Sequence, residues 1–221
     1  MDFSQLVQTV AIYSLPVLFA ITLHEAAHGY VARYFGDMTA HAQRRISLNP
    51  VRHIDLVGTI LVPILILVVS KLAGGAGYLF GWAKPVPVNY SALRRPKQNM
   101  MWVAAAGPAA NLAMALGWAL LLKGADLLPV TSFTVPLRLM GIAGIEVNVV
   151  LMLLNLLPIL PLDGGRILAS LLPQRASWQY ARLEPWGFPI LLLLLFSGYL
   201  GVLLRPMVQA SFLFIGTVFQ L

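Results

Sequence analysis

His24-Glu25-Ala26-Ala27-His28 stands inside an apolar run that reaches from about residue 6 to about residue 32. On a helix, residues four apart share a face. The two imidazoles can therefore be aimed at one metal ion, with the Glu25 carboxylate beside them. In soluble proteins this spacing binds zinc and activates water for peptide hydrolysis. Here the three ionisable residues fall at bilayer depth, where each is costly unless it is paired or coordinated. Two neutral imidazoles and a carboxylate around a divalent cation meet that requirement. Arg33 follows His24 by about nine residues, which places the histidines ~14 Å inside the end of the run.

Composition supports the membrane reading. Of 221 residues, 59% are hydrophobic and only 10% are charged, with a mean hydropathy of +0.80. A soluble domain carries about 25% charged residues. The surplus apolar surface has to face lipid, so the chain is expected to be a multi-pass protein of the cell membrane. Its net charge of +7 lies in short basic clusters between apolar runs. There it sets orientation rather than inviting nucleic acid. There is no cysteine, so a metal site must draw on His, Asp or Glu. The first five residues hold no basic cluster and no A-x-A site follows the first run, which argues against a cleaved signal peptide.

Apolar segments fall near 6–32, 56–73, 98–122, 139–162, 186–204 and 206–221. The long ones reach the ~20 residues that span hydrocarbon as a helix. Segment 56–73 is shorter, holds Pro63, and runs into Gly74-Gly75-Ala76-Gly77, which predicts a chain that enters the membrane and leaves on the same side. On that topology twelve basic residues share one face: Arg33, Arg44, Arg45, Arg52, Lys71, Lys84, Arg94, Arg95, Lys97, Arg166, Arg175 and Arg182. Lys123, Arg138 and Arg205 lie on the other. A single crossing by 56–73 erases this bias. The positive-inside rule thus puts the N-terminus outside and residues 31–97 in the cytoplasm. The last segment could span, lie on the surface or pack on the bundle. No internal repeat or separate soluble domain is visible, so residues 1–221 read as one membrane-embedded domain, with a core at about 6–172 and accessory helices at about 185–221.

A catalytic zinc site takes three protein ligands and a water. Glu146, Asp163 and Asp126 are the candidates for the third. Asp163 stands out, because it follows Pro158-Ile159-Leu160-Pro161-Leu162 and precedes Gly164-Gly165-Arg166. Prolines break the helix and glycines permit unusual dihedrals, and broken helices occur at membrane depth where they line a polar cavity. Under the re-entrant topology Asp163 shares the cytoplasmic side with His24 and His28. Asn111 and Asn155 are uncharged polar residues within spans, suited either to stabilising an oxyanion or to bonding a neighbouring helix. Residues 84–89, with Pro85 and Pro87, read as an edge that can hold an extended substrate by strand addition or as a rigid loop. His41 and His53 are assigned to loop solvation or backbone bonding. Glu146 with Asn148 either pairs locally or lines a water path.

Together these residues carry a resemblance. His24-Glu25-Ala26-Ala27-His28-Gly29, Gly107-Pro108-Ala109-Ala110-Asn111, Asn155-Leu156-Leu157-Pro158 and Leu162-Asp163-Gly164-Gly165 resemble, in order and spacing, the site-2 protease family of intramembrane zinc metalloproteases (peptidase M50), in its compact members without a PDZ domain. The likeness runs from about residue 15 to 172. It departs at Leu160, where close relatives carry proline. The resemblance implies one Zn2+ per chain held by His24, His28 and Asp163, with Glu25 as general base and acid and Asn111 and Asn155 orienting substrate or oxyanion. It implies an all-α polytopic fold: a three-helix catalytic core, a re-entrant, partly β hairpin segment, and one or two extra C-terminal helices. The substrate would be a transmembrane protein cut within or next to its span in the lipid bilayer, with a regulatory membrane partner as a further candidate. The competing reading is a metal-binding transporter or scaffold without proteolytic activity, which would have no use for Glu25 beside the metal.

Overall fold

The computed structural model describes residues 3–62, 65 and 83–221, and every regular element among them is helical. The α-helices described are α1 (Phe3–Tyr34), α2 (Thr39–Ala42), α3 (Pro96–Asp126), α4 (Thr134–Asn155), α5 (Asp163–Leu171), α6 (Gln174–Ala181), α7 (Glu184–Phe196) and α8 (Tyr199–Phe219). Four of them, α1, α3, α4 and α8, are long and apolar enough to cross a membrane, so the chain is a multi-pass membrane protein.

In α1 the buried positions Pro16, Ala20, His24, His28 and Ala32 recur every four residues, while Leu15, Leu18, Phe19 and Tyr30 open outward. The stripe that enters the bundle is therefore the stripe that carries both histidines. α3 turns Val103, Ala104, Gly107, Asn111, Ala115 and Ala119 inward. Small residues on that face let neighbouring backbones come close, the main packing resource between helices in lipid. α3 packs against α1, α4 and α5. A second apolar cluster joins Ala115, Ala119 and Leu122 of α3 to Ile145, Val149 and Leu153 of α4, and on to Leu191 of α7 and Leu204 and Ile215 of α8.

The C-terminal elements divide elsewhere than the prolines and charges suggest. The break lies at Ser197 and Gly198, not at Arg205, because Gly198 adopts a left-handed φ of 78° that ends one helix and starts the next. Pro206 sits within α8, a position tolerated in membrane helices. α7, at 13 residues, falls short of a span.

The expected re-entrant segment lies largely outside the described residues. Its start, Leu56–Leu61, is a π-helical turn whose first N–H groups are capped by Asp55, which accepts from the Gly58 N–H at 2.6 Å. Residues 83–89 have no regular structure and no strand occurs among the described residues, so the partly β character is not seen there. This stretch is instead tied down group by group. The Lys84 N–H donates to the His53 carbonyl at 2.8 Å and the Arg94 N–H to Phe35 at 3.0 Å. The Arg45 guanidinium donates to the carbonyls of Lys84 and Pro85 at 3.0 and 3.3 Å. The fully buried Asp37 accepts from the Asn89 N–H at 2.6 Å and the Thr39 N–H at 2.9 Å. The segment thus runs across the end of α1, next to the histidine turn.

Candidate metal centre

His24 and His28 project from consecutive turns of α1 toward α3. Asp163 opens α5, after the chain leaves α4 through the turn that holds Pro158 and Pro161. The two glycines after Asp163 have a steric cause. A Cβ on Gly164 would lie 2.2 Å from the Leu156 carbonyl oxygen, and one on Gly165 would lie 2.6 Å from the Ile159 carbonyl carbon. Only bare backbone lets the turn fold over the first turn of α5 and bring the carboxylate inward.

All three side chains are buried. The His24 Nε2 lies 3.1 Å from the His28 Nε2. The Asp163 Oδ2 stands 3.2 Å from the first and 3.4 Å from the second. These separations match the ~3.3 Å edge of a tetrahedron whose corners sit ~2.0 Å from a central ion. The proton inventory favours a cation as well. The His24 Nδ1 faces the Asn111 Oδ1 at 2.6 Å and the His28 Nδ1 faces the Val103 carbonyl at 2.7 Å. Both partners can only accept, so both rings carry their proton on Nδ1 and turn a bare lone pair inward at Nε2. The Asp163 Oδ2 is buried with no hydrogen-bond partner. Three lone-pair atoms within 3.4 Å of one another repel unless a positive charge lies among them. The donor set of two imidazoles and one carboxylate suits zinc.

Gly107 of α3 completes the wall. A Cβ there would sit 2.5 Å from both the His24 Cε1 and the His28 Nε2. Pro108 follows and has no N–H to give the Ala104 carbonyl four residues back. The Glu25 carboxylate is partly exposed and accepts from the Val86 N–H at 2.7 Å, which fixes it against residues 84–89.

The other sequence-expected residues fall as follows. Glu146 accepts from the Tyr13 hydroxyl at 2.7 Å, and Asp126 pairs with Arg138 at 3.1 Å, so neither rival third ligand joins the cluster. Asn111 is fully buried. Its Nδ2 donates to the Ala20 carbonyl at 3.3 Å and to the Asn148 Oδ1 at 2.9 Å, which leaves no N–H for an oxyanion. Asn155 donates back to the Leu151 carbonyl of its own helix at 3.0 Å and makes no described bond to the cluster. The His53 Nε2 bonds the Ser47 carbonyl at 2.8 Å, and His41 is exposed on a cavity shared with Arg44 and Arg52. The Val86 N–H enters the site without a sequence signal, whereas Gly107 opens the Gly107-to-Asn111 element of the resemblance and Asn148 is read together with Glu146 in the sequence.

Residues 130–198, which contain Asp163, match the model of Peptidase family M50. Over 202 residues the chain is 37% identical to "Putative zinc metalloprotease YwhC" of Bacillus subtilis, covering 89% of this chain and 85% of that protein. Over 190 residues it is 30% identical to "Putative zinc metalloprotease Rip2" of Mycolicibacterium smegmatis, covering 83% and 66%. No solved structure matches the chain.

Proposed function

Because the chain belongs to peptidase family M50 and is an intramembrane zinc metalloprotease, we propose that His24, His28 and Asp163 hold one zinc ion and that Glu25 moves the protons of peptide hydrolysis. The observation that carries this assignment is the triangle of two Nε2 atoms and one Oδ2, with both Nδ1 atoms facing acceptor oxygens away from it. When bound there, zinc would polarise a carbonyl and acidify water.

The remaining work falls to this chain's own groups. The Glu25 carboxylate takes the proton of the attacking water and returns it to the leaving amine, a contribution of ~10²–10⁴ in rate. The Val86 N–H holds that carboxylate beside the histidine turn. Residues 84–89 receive the substrate after it has unwound, since a transmembrane helix hides its own peptide bonds, and they do so by main-chain hydrogen bonding. The substrate is a membrane protein cut within or next to a span. Residues 1–221 act as one domain in the cell membrane, with the N-terminus outside, 56–73 re-entrant, and the site open to the cytoplasmic side. The charge distribution favours this orientation.

The test is Glu25→Gln. The variant is expected to fold and to bind one zinc per chain, measured by metal analysis, while cleavage of a single-pass membrane substrate falls by at least ~10². Cleavage at the wild-type rate by the purified variant removes Glu25 from its role. Asp163→Ala, in the same measurement, is expected to lose the metal.

A further inference from the structure

We propose that Asn148 of α4 is a positioning residue which, acting through Asn111, dictates which nitrogen of His24 carries the proton. The inference rests on the assignment of His24 as a ligand made above, and extends it to a residue that touches neither the histidine nor the ion's place.

The argument begins at a backbone carbonyl, which can only accept. The Asn148 Nδ2 donates to the Gly144 carbonyl at 2.8 Å, so its amide oxygen points the other way, toward Asn111. That oxygen accepts from the Asn111 Nδ2 at 2.9 Å. The same Nδ2 gives its other hydrogen to the Ala20 carbonyl at 3.3 Å. Asn111 therefore cannot turn over. The flipped amide would set its oxygen against the Ala20 carbonyl and the Asn148 Oδ1, three acceptors facing one another in a place without solvent. Asn111 and Asn148 are both fully buried, so water cannot repair the mismatch.

With Asn111 fixed, its Oδ1 faces the His24 Nδ1 at 2.6 Å. An acceptor there requires Nδ1–H, and a neutral ring then presents an unprotonated Nε2. His28 reaches the same state directly, through the Val103 carbonyl. The two imidazoles are thus set independently: one by a single backbone group, the other by a two-amide relay crossing from α4 through α3 to α1. Partners that fix the tautomer of a metal-binding histidine are worth ~10–100-fold in affinity.

The experiment uses the full chain in detergent or bilayer, with ¹⁵N-labelled histidine. In the zinc-free wild type at alkaline pH, the ring nitrogen shifts are expected to report Nδ1–H at His24 and at His28. Nε2–H at His24 overturns the relay, and this holds even if every variant misfolds. Asn148→Leu removes the acceptor and frees Asn111 to turn. His24 should then populate both tautomers while His28 stays as it was, and zinc affinity, measured by competition with a chelator, should fall ~10–100-fold. Asn148→Asp, when protonated in its apolar setting, can donate to Gly144 and accept from Asn111 as asparagine does, and is expected to stay within ~3-fold of wild type. A folded Leu variant with wild-type tautomer and affinity overturns the proposal. So does equal loss in the Leu and Asp variants with the His24 tautomer unchanged, the mark of a purely structural role. A wild type that binds no zinc, yet shows Nδ1–H at His24 and mixed tautomers in the Leu variant, supports the relay while removing the metal assignment.

Discussion

At the scale of single residues, Gly107 decides how closely α3 passes behind the imidazoles. A methyl group there would overlap both rings, at 2.5 Å from an atom of each, so Gly107→Ala must push His24 and His28 apart or α3 away. The expected outcome is a variant with unchanged helical circular dichroism whose zinc affinity is lower by ~10-fold or more; full metal content under chelator competition would show that the wall can yield. That both histidines meet Asp163 was legible in the chain, because a helix maps a four-residue interval onto one face, and prolines and glycines mark where a helix breaks. For Asn111 the chain left two duties open, an oxyanion or a neighbouring helix, and its N–H groups go to neighbouring helices. An asparagine offers two donors and an acceptor on either side of one bond, and the choice between them is made by Ala20 and Asn148, which belong to other helices and lie far off in sequence.

At the scale of elements, the stretch 84–89 is held, among the described residues, by the side chains of Glu25, Asp37 and Arg45 and by the His53 carbonyl, and Asp37 is its anchor beyond the end of α1. Burial alone would raise the carboxyl's pKa; hydrogen bonds from Thr39, by hydroxyl and N–H, and from the Asn89 N–H outweigh it and bring the value below the usual range. A lowered value means that this group's stabilisation is complete above its unfolded-state pKa, ~3.9, and is lost as pH falls through the lower folded value. The segment should therefore exchange its amide hydrogens faster on acidification below about pH 4. Asp37→Asn should show that faster exchange already at neutral pH, at a cost of about 1–3 kcal/mol, and should lose the acid dependence. Hydrogen exchange of residues 86–93 followed against pH reads both. The alternation of proline with valine suggested an edge of a sheet, yet proline satisfies irregular extended chain equally well, and periodicity has no means of separating the two. Likewise Pro206 and Arg205 looked like a boundary, whereas the left-handed Gly198 supplies one.

For the molecule as a whole, the class was legible from composition alone, since apolar side chains that cannot all be buried in 221 residues must meet lipid. Leu193, Leu203, Leu213 and Phe214 duly open outward. The proposed orientation rests on charge, and the absence of cysteine makes it easy to test. Ser91→Cys and Ser132→Cys, both at exposed positions, should label from opposite faces in intact cells, Ser132→Cys alone reacting with a thiol reagent that cannot cross the membrane. Labelling of Ser91→Cys alone from outside would overturn the proposed topology of 56–73, because α3 crosses once between the two positions. The face that meets the cytoplasm in that arrangement carries the tethered stretch beside Glu25, and its main chain is lopsided. Positions 85 and 87, being proline, have no N–H; those of Lys84, Val86 and Asn89 are already engaged. Among the described residues of that stretch, Val88 alone keeps a donor on offer, against three carbonyls, those of Val86, Pro87 and Val88. A guest polypeptide laid there finds takers for its hydrogens and almost no givers for its oxygens. A guest's oxygens would then have to turn to water at the exposed Lys84, Pro85 and Asn89, to the Arg45 guanidinium, or to a cation held by the histidines.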